Sequence, residues 1–217
     1  MAAAAAAVVV VAAGAAVAGA VVAGAVAAVN ANSANHEPTT MNHQQTELYN
    51  RLQTYSLDQP GAQFSFSQRL AQENCWSFMY TCRVIEEYKK FAFLALAAGH
   101  PVTPSDQVDQ VWHLHLTYSR SYWQNFCPNI LQTPLHHEPT QGGGAEQEKF
   151  VDWYTRTLGS YRQFFGEAPP KDIWPDPRER FGQELEFVRI NLQRNWLLPK
   201  LSGAKGLSAA LQKKIRG

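Results

Sequence analysis

Apolar residues recur every three to four positions over most of this chain after residue 40, which is the spacing of an amphipathic α-helix. Turn residues divide the pattern into about five main helices, and no pair of alternating segments indicates a β-hairpin. The predicted helices cover about 39–58, 67–98, 103–126, 145–165 and 178–198. The pattern therefore predicts an all-α fold, a helical bundle in which each helix buries its apolar side.

Residues typical of helix ends refine these boundaries. Ser67 is expected to be the N-cap of the second helix, and Gly99 is expected to end that helix. Thr103 is expected to be the N-cap of the third helix, which carries the densest group of reactive side chains. The third helix should stop near Phe126, because Pro128 has no amide hydrogen and disturbs an α-helix.

Two segments are predicted to be irregular. Residues 128–143 are rich in histidine, proline and glycine and should form a loop between the third and fourth helices. Residues 169–177 contain four prolines and should form an extended strap that packs Ile173 and Trp174 onto the bundle. Both segments are therefore expected to connect helices.

Composition divides the chain into three parts, residues 1–40, 41–199 and 200–217. Residues 2–29 contain only Ala, Val and Gly and are long enough to span a bilayer. Alanine contributes little to membrane insertion, however, and no Lys or Arg precedes Arg51 to orient a span. Three hypotheses stay open for this Ala/Val-rich apolar leader: a membrane anchor, a cleaved signal peptide, or a disordered stretch upstream of the real start.

Charge is unevenly distributed along the chain. Residues 200–217 carry five basic residues and no acidic one, and Leu207, Leu211 and Ile215 recur every four positions. This pattern predicts a basic amphipathic tail suited to an anionic membrane surface or an acidic partner. Residues 41–199 carry 14 basic and 17 acidic residues, a net charge of −3, which argues against a nucleic-acid partner.

The cysteines bear on the cellular compartment. Three cysteines without paired spacing argue against a disulfide framework, so a reducing compartment is expected. The domain is therefore predicted to be cytoplasmic, or anchored to a membrane with the domain on the cytoplasmic side. Its partner is expected to be an unidentified protein, with a membrane as a further partner through residues 2–29 and the basic tail.

The candidate chemistry is concentrated in the third predicted helix and the loop after it. Asp109 and His113 are four residues apart and share one helix face, so the carboxylate can reach the imidazole. His115 points about 200° away from His113 on a regular helix, which makes it difficult for both to bind one ion. Trp112 and Tyr122 are expected to be structural residues of the motif.

Six side chains in this region are candidate metal ligands. They are Asp109, His113, His115, Cys127, His136 and His137. A site of Asp109, His113, Cys127 and one loop histidine would suit zinc, because thiolate and imidazole are typical zinc ligands. Two alternatives stay open: the groups satisfy one another inside the fold and hold the loop, or they form an acid–base site without metal.

The motif Val108-Asp109-x-Val-Trp112-His113-x-His115 is followed by Ser121-Tyr122, Cys127 and a histidine nine or ten residues later. Together with segments 83–88, 99–104 and 134–143, it resembles the glycine-rich domain-containing protein-like family, in particular its bacterial-type helical domain. The resemblance covers about residues 41–199 and implies a helical domain without implying a reaction. Two features depart from the family pattern. The cysteine lies one residue further from the tryptophan than in plant members, and the long glycine-rich tail is absent.

Two functional hypotheses from different classes follow. The first is a non-enzymatic helical interaction module, associated with a membrane through the leader and the tail. The second is a metal-dependent or acid–base enzyme centred on Asp109 and His113, for which no substrate is predicted. A deep pocket that exposes both side chains would favour the enzyme, whereas burial of both would favour the module.

Overall fold

The chain is helical over most of the residues that the structure, a computed structural model, describes, namely 6–7, 40–139 and 144–182. In chain order the helices are α1 His43–Thr54, α2 Phe66–Asn74, α3 Phe78–Ala97, α4 Asp106–Thr117, α5 Ser119–Ser121, a π-helix Tyr122–Leu131, α6 Gly144–Phe165 and α7 Pro177–Gly182. The β structure in this part of the chain is one short antiparallel pairing of β1 Ala6–Ala7 with β2 Glu138–Pro139. The predicted all-α fold is confirmed.

α3 is the central helix of the bundle. It packs against α1, α2, α4 and α6, so more than one of its faces must be apolar. Its fully buried apolar side chains are Val84, Tyr88, Phe91, Ala92, Phe93 and Leu94. Burial of each large side chain contributes about 1.5–3 kcal/mol to folding. The core therefore forms around α3, and α4, which carries the candidate ligands Asp109, His113 and His115, lies directly against it.

The prediction that Ser67 caps the second helix was wrong. The N-cap of α2 is Ser65, whose hydroxyl accepts from the Gln68 amide at 3.2 Å while the Gln68 side chain accepts from the Ser65 amide at 2.9 Å. This reciprocal pair is a capping box. The Ser67 hydroxyl instead donates to Asp58 at 2.7 Å. Tertiary contact with Asp58 thus occupies the side chain that was expected to cap the helix.

The predicted helix 67–98 is two helices, α2 and α3, separated at Cys75. Cys75 adopts the left-handed conformation with φ of 54°. Ser77 then begins α3 as its N-cap and accepts from the Tyr80 amide at 3.3 Å. Glycine usually occupies a left-handed helix end, so a cysteine at this position hides the break from sequence inspection.

α4 begins two residues later than predicted. Its N-cap is Ser105, whose hydroxyl accepts from the Val108 amide at 3.2 Å. Thr103, the expected N-cap, instead donates its amide to the Thr157 hydroxyl of α6 at 3.0 Å. Ser and Thr are both good N-cap residues. The backbone of Thr103 is held by α6, and its buried hydroxyl makes no hydrogen bond to the amides of α4.

Pro128 does not end the helical segment after α4, contrary to the prediction. α4 ends at Thr117, and α5 leads into the π-helix Tyr122–Leu131, which contains Pro128. A proline ring collides with the carbonyl four residues earlier in an α-helix, and the wider π turn relieves that collision. The π-helix ends at Gln132, which is left-handed with φ of 61°. The irregular loop therefore begins at 132 and not at 128.

The prediction for the fourth helix is confirmed, and so is the burial of Ile173 and Trp174 in the proline-rich strap. The strap is not extended as predicted: the amides of Ile173 and Trp174 both donate to the Pro170 carbonyl, at 3.0 and 2.7 Å, and form a turn, and Pro177 begins α7. α6 covers Gly144–Phe165, and Ile173 and Trp174 in the strap are buried. The Trp174 indole donates to a carboxylate oxygen of Glu87 on α3 at 2.8 Å. The strap is thus attached to the central helix by a buried polar contact as well as by apolar packing.

α7, Pro177–Gly182, is the described part of the predicted last helix. The rest of that helix, the tail 200–217 and the leader apart from residues 6–7 lie outside the described residues. Within the described ranges, no helix has both the length and the apolar character needed to cross a membrane. The membrane roles expected for the leader and the tail stay predictions.

Candidate metal centre

Three polar side chains converge where α4 meets the loop that follows the π-helix. Asp109 and His113 come from α4, and His137 comes from the loop. The His137 Nε2 atom lies 2.9 Å from Asp109 Oδ1 and 3.0 Å from His113 Nε2, and His113 Nε2 lies 3.7 Å from Asp109 Oδ2. One ligand atom from each residue lies within 4.8 Å of the other two. Two helix residues and one loop residue therefore form a single cluster.

The helix repeat explains how α4 supplies two of the three groups. Residues 109 and 113 are one turn apart, so their side chains lie side by side on one face. That face is at the edge of the core: the side chain of Asp109 is only 6% exposed, whereas that of His113 is 47% exposed. The cluster thus has a buried carboxylate and His137 at its base, and an imidazole that faces solvent.

No placement of protons gives every group in this cluster a good hydrogen-bond partner. A neutral imidazole has one N–H donor and one acceptor nitrogen, and a carboxylate only accepts. If His137 Nε2 carries a proton, that single N–H must be shared between Asp109 and His113. If His137 Nε2 carries no proton, its lone pair faces the Asp109 carboxylate, so two hydrogen-bond acceptors are in contact with no donor between them. A cation among the three groups would remove this conflict, because every lone pair could then point at it.

The spacing of the ligand atoms suits a tetrahedral ion. Two ligand atoms that each lie 2.0–2.1 Å from a tetrahedral zinc ion are about 3.3 Å apart. His137 Nε2 lies 2.9 Å from Asp109 Oδ1 and 3.0 Å from His113 Nε2, and His113 Nε2 lies 3.7 Å from the other carboxylate oxygen, Oδ2, so the closest approaches fall on either side of that value. Two imidazoles and one carboxylate are also ligands that zinc and its first-row neighbours accept. The residues present therefore fit a divalent transition-metal ion, with one coordination position left for water or another ligand.

His115 lies outside this cluster and inside the core. Its side chain is turned towards α3, where the Tyr88 hydroxyl and His115 Nδ1 are 3.0 Å apart, and the residue is only 1% exposed. The Phe126 and Tyr122 rings pack against the imidazole with centroid distances of 4.8 and 5.0 Å. Burial lowers the pKa of His115 to about 3, so this imidazole is neutral. The large angle between positions 113 and 115 on a helix accounts for the separation.

Cys127 and His136 also lie outside the cluster. Cys127 is buried, and burial raises the pKa of its thiol, which disfavours the thiolate that zinc binds. His136 is exposed, and its ring lies 5.4 Å from that of Trp123. Neighbouring side chains in extended chain point in opposite directions, so only one of the two adjacent loop histidines can face α4. The structure places His137 there.

The environment of the cluster contains a group that the sequence argument missed. Asp106 lies one turn before Asp109 on α4, and its pKa is raised, mainly by burial and also by the charge of Asp109. Arg180 on α7 and His113 act in the opposite direction on the same carboxyl. The three-residue spacing of Asp106 and Asp109 could have indicated that both carboxylates lie on one side of α4. Nothing in the sequence indicates that Arg180 of α7 lies near the same side.

Trp112 and Tyr122 lie next to the cluster, and both are fully buried. The Trp112 ring packs edge-on against the His137 ring, with centroids 4.7 Å apart and an interplanar angle of 74°. The Trp112 indole donates to the Tyr122 hydroxyl at 2.9 Å, and that hydroxyl donates to the Leu135 carbonyl. Both residues thus contact the loop that carries His137.

No family model matches the chain, and no match was found among curated proteins or solved structures. Membership of the glycine-rich domain-containing protein-like family therefore stays a prediction from the motif residues. The geometry of the Asp109, His113 and His137 cluster is therefore the basis for a functional assignment.

Proposed function

We propose that this helical domain binds one divalent transition-metal ion, zinc in the first place, through Asp109, His113 and His137. The observation that supports this proposal is the convergence of three groups whose lone pairs a single proton cannot satisfy together. His137 Nε2 lies within hydrogen-bonding distance of both Asp109 and His113, at 2.9 and 3.0 Å. A cation shared by the three would turn this conflict into three favourable contacts.

The ligand set favours a metal that takes part in chemistry over a purely structural one. Structural zinc sites are usually closed by four protein ligands, whereas catalytic sites have three and keep one position for water. The half-exposed His113 places the cluster at the protein surface, where such a position can be reached from solvent. A metal held there would lower the pKa of its bound water and polarise a bound oxygen. The criterion of a pocket that exposes both side chains is not met, because the side chain of Asp109 is only 6% exposed. The support for the metal-dependent hypothesis comes from the ligand set, with no reaction assigned.

Metal binding can be tested directly on the purified protein. After treatment with a chelator and dialysis, titration with zinc should show one ion bound per chain, and elemental analysis should find the same ratio. Zinc at a free concentration 100-fold above its Kd should stabilise the fold by about 2.7 kcal/mol, seen as a higher Tm. His137→Asn and His113→Asn should each abolish or strongly weaken binding.

His136→Asn is the matched control, because His136 is the adjacent histidine in the same loop and lies outside the cluster. It should bind zinc as the wild type does. Asp109→Asn should lose the metal and leave the Tm of the metal-free protein unchanged or higher, since a functional carboxylate is often held at a cost to stability. Wild-type protein that binds no zinc, or a His136→Asn variant as defective as His137→Asn, would contradict the proposal.

A second proposal, the interaction module, is supported by a different part of the surface. Phe78 and Met79, adjacent at the start of α3, are 53% and 74% exposed, and contiguous exposed apolar surface can mark an interaction site. If they contact a protein partner, the double variant Phe78→Ser, Met79→Ser should lose that partner in co-purification from the source cells. The variant should keep the zinc stoichiometry of the wild type, because residues 78 and 79 are not part of the cluster.

A further inference from the structure

We propose that Trp112 and Tyr122 form a buried hydrogen-bonded relay that positions His137 for the metal, although neither residue touches the ion. This inference rests on the proposed metal-binding function. Its basis is that one hydroxyl joins α4, the π-helix and the histidine loop. The Tyr122 hydroxyl accepts from the Trp112 indole at 2.9 Å and donates to the Leu135 carbonyl.

The direction of both hydrogen bonds is determined by the chemistry of the partners. An indole N–H can only donate, and a backbone carbonyl can only accept. The hydroxyl of Tyr122 must therefore do both at once, in a single orientation. Tyr122, Trp112 and Leu135 are all fully buried, so water cannot replace any member of the relay. Burial also raises the pKa of Tyr122, which keeps the hydroxyl protonated and able to donate.

The relay acts on the backbone two residues before the metal ligand. With the Leu135 carbonyl held, the position and direction of the chain at His137 are largely determined, because only a few backbone dihedrals separate the two residues. The Trp112 ring then limits the rotation of the His137 imidazole by packing against it at a centroid distance of 4.7 Å. The backbone and the side chain of the loop ligand are thus restrained by the same two residues.

The same helix that supplies two ligands therefore positions the third. Trp112 is adjacent to His113 and three residues after Asp109, so its indole moves with the two ligands of α4. Tyr122 is the first residue of the π-helix, and π-helical turns are often found at functional sites. The far end of the π-helix is held by Arg51, which donates to the Ile130 carbonyl at 2.8 Å. This attachment holds the end of the π-helix, where the loop begins, against α1.

The experiment compares two tyrosine-to-phenylalanine variants that each remove one buried hydroxyl. Tyr122→Phe breaks the relay. Tyr88→Phe is the matched control, because Tyr88 is equally buried and its hydroxyl contacts His115 in the core at 3.0 Å, away from the loop. Zinc affinity is measured by competition with a chromophoric chelator. Tyr122→Phe should weaken zinc binding by about 10- to 100-fold, as loss of an outer-shell contact does, whereas Tyr88→Phe should bind as the wild type does.

A second measurement reports on the loop without metal. Amide hydrogen exchange of residues 133 and 135–137 in the metal-free protein should be faster in Tyr122→Phe than in Tyr88→Phe, whatever the Tm of each variant. Tyr122→Phe with wild-type zinc affinity, or with loop exchange no faster than in Tyr88→Phe, would overturn the positioning role while leaving metal binding intact. Wild-type protein that fails to bind zinc would instead overturn the proposed function and this inference with it.

Discussion

Replacing His115 with asparagine should remove a large part of the sensitivity of this domain to acid. The imidazole is 1% exposed and is enclosed by aromatic rings, and its Nδ1 atom lies 3.0 Å from the Tyr88 hydroxyl. The side-chain oxygen of asparagine can take a position similar to that of Nδ1, so the contact with Tyr88 can be kept. The variant therefore removes the titrating group and leaves most of the polar network in place.

The sign and size of the effect follow from the lowered pKa. An imidazole in the unfolded chain takes up a proton below about pH 6.5, whereas burial lowers the pKa of folded His115 to about 3. Between these values the unfolded state binds more protons, so the free energy of unfolding falls as the pH falls. The contribution of His115 to the free energy of unfolding is fully present above about pH 6.5. Below that pH it declines by about 1.4 kcal/mol per pH unit. Over the whole window the loss is roughly 4–5 kcal/mol.

Urea unfolding followed by circular dichroism at several pH values between about 7 and 4 measures this effect. The variant should be less stable than the wild type at neutral pH, since asparagine is smaller than histidine and leaves a cavity. The difference should shrink by about 1.4 kcal/mol for each unit of acidification. His43→Asn is the control, because the side chain of His43 is 87% exposed. A plot of its free energy of unfolding against pH should run parallel to that of the wild type. If the His115→Asn curve also runs parallel, His115 is not a buried neutral imidazole and the reasoning fails.

Two further predictions concern buried contacts elsewhere in the bundle. Trp112→Ala should lower the free energy of unfolding by about 3–5 kcal/mol, because a large fully buried side chain is removed; a melt with an unchanged Tm would show that this ring does not support the fold. Glu87→Gln should cost about 1.5–3 kcal/mol, because it removes the charge that pairs with Lys90 (3.1 Å) and weakens the acceptor for Trp174 (2.8 Å), while Lys90 keeps its ion pair with Glu167 (2.9 Å). Limited proteolysis should then cut the strap, residues 169–177, faster than in the wild type, and equal rates would contradict this role for Glu87.

The sequence by itself determined the features that depend on neighbours within a few residues. Helical periodicity identified the all-α fold, and the four-residue spacing of Asp109 and His113 identified two side chains that meet in the cluster. The angle between positions 113 and 115 also indicated that both histidines would not easily bind one ion. These results depend only on the geometry of a single helix, which is the same in every protein.

Some local signals were ambiguous because two residues of similar chemistry compete for one role. Ser65 and Ser67 can both cap a helix, as can Thr103 and Ser105, and contacts with Asp58 and Thr157 decide which of them does. Pro128 normally indicates the end of an α-helix, and the π-helix that tolerates it has no strong sequence signal. Cys75 occupies a left-handed position without being a glycine.

Only the tertiary structure decided which loop side chain joins Asp109 and His113. His136 and His137 are adjacent and chemically identical, and Cys127 was an equally reasonable zinc ligand. The choice depends on the path of the chain between the π-helix and β2, which is set by the buried contact of Tyr122 with Leu135. That contact joins residues 13 positions apart across the core. Its energy comes from burial and from exclusion of water, and a sequence pattern does not display either until the helices have packed.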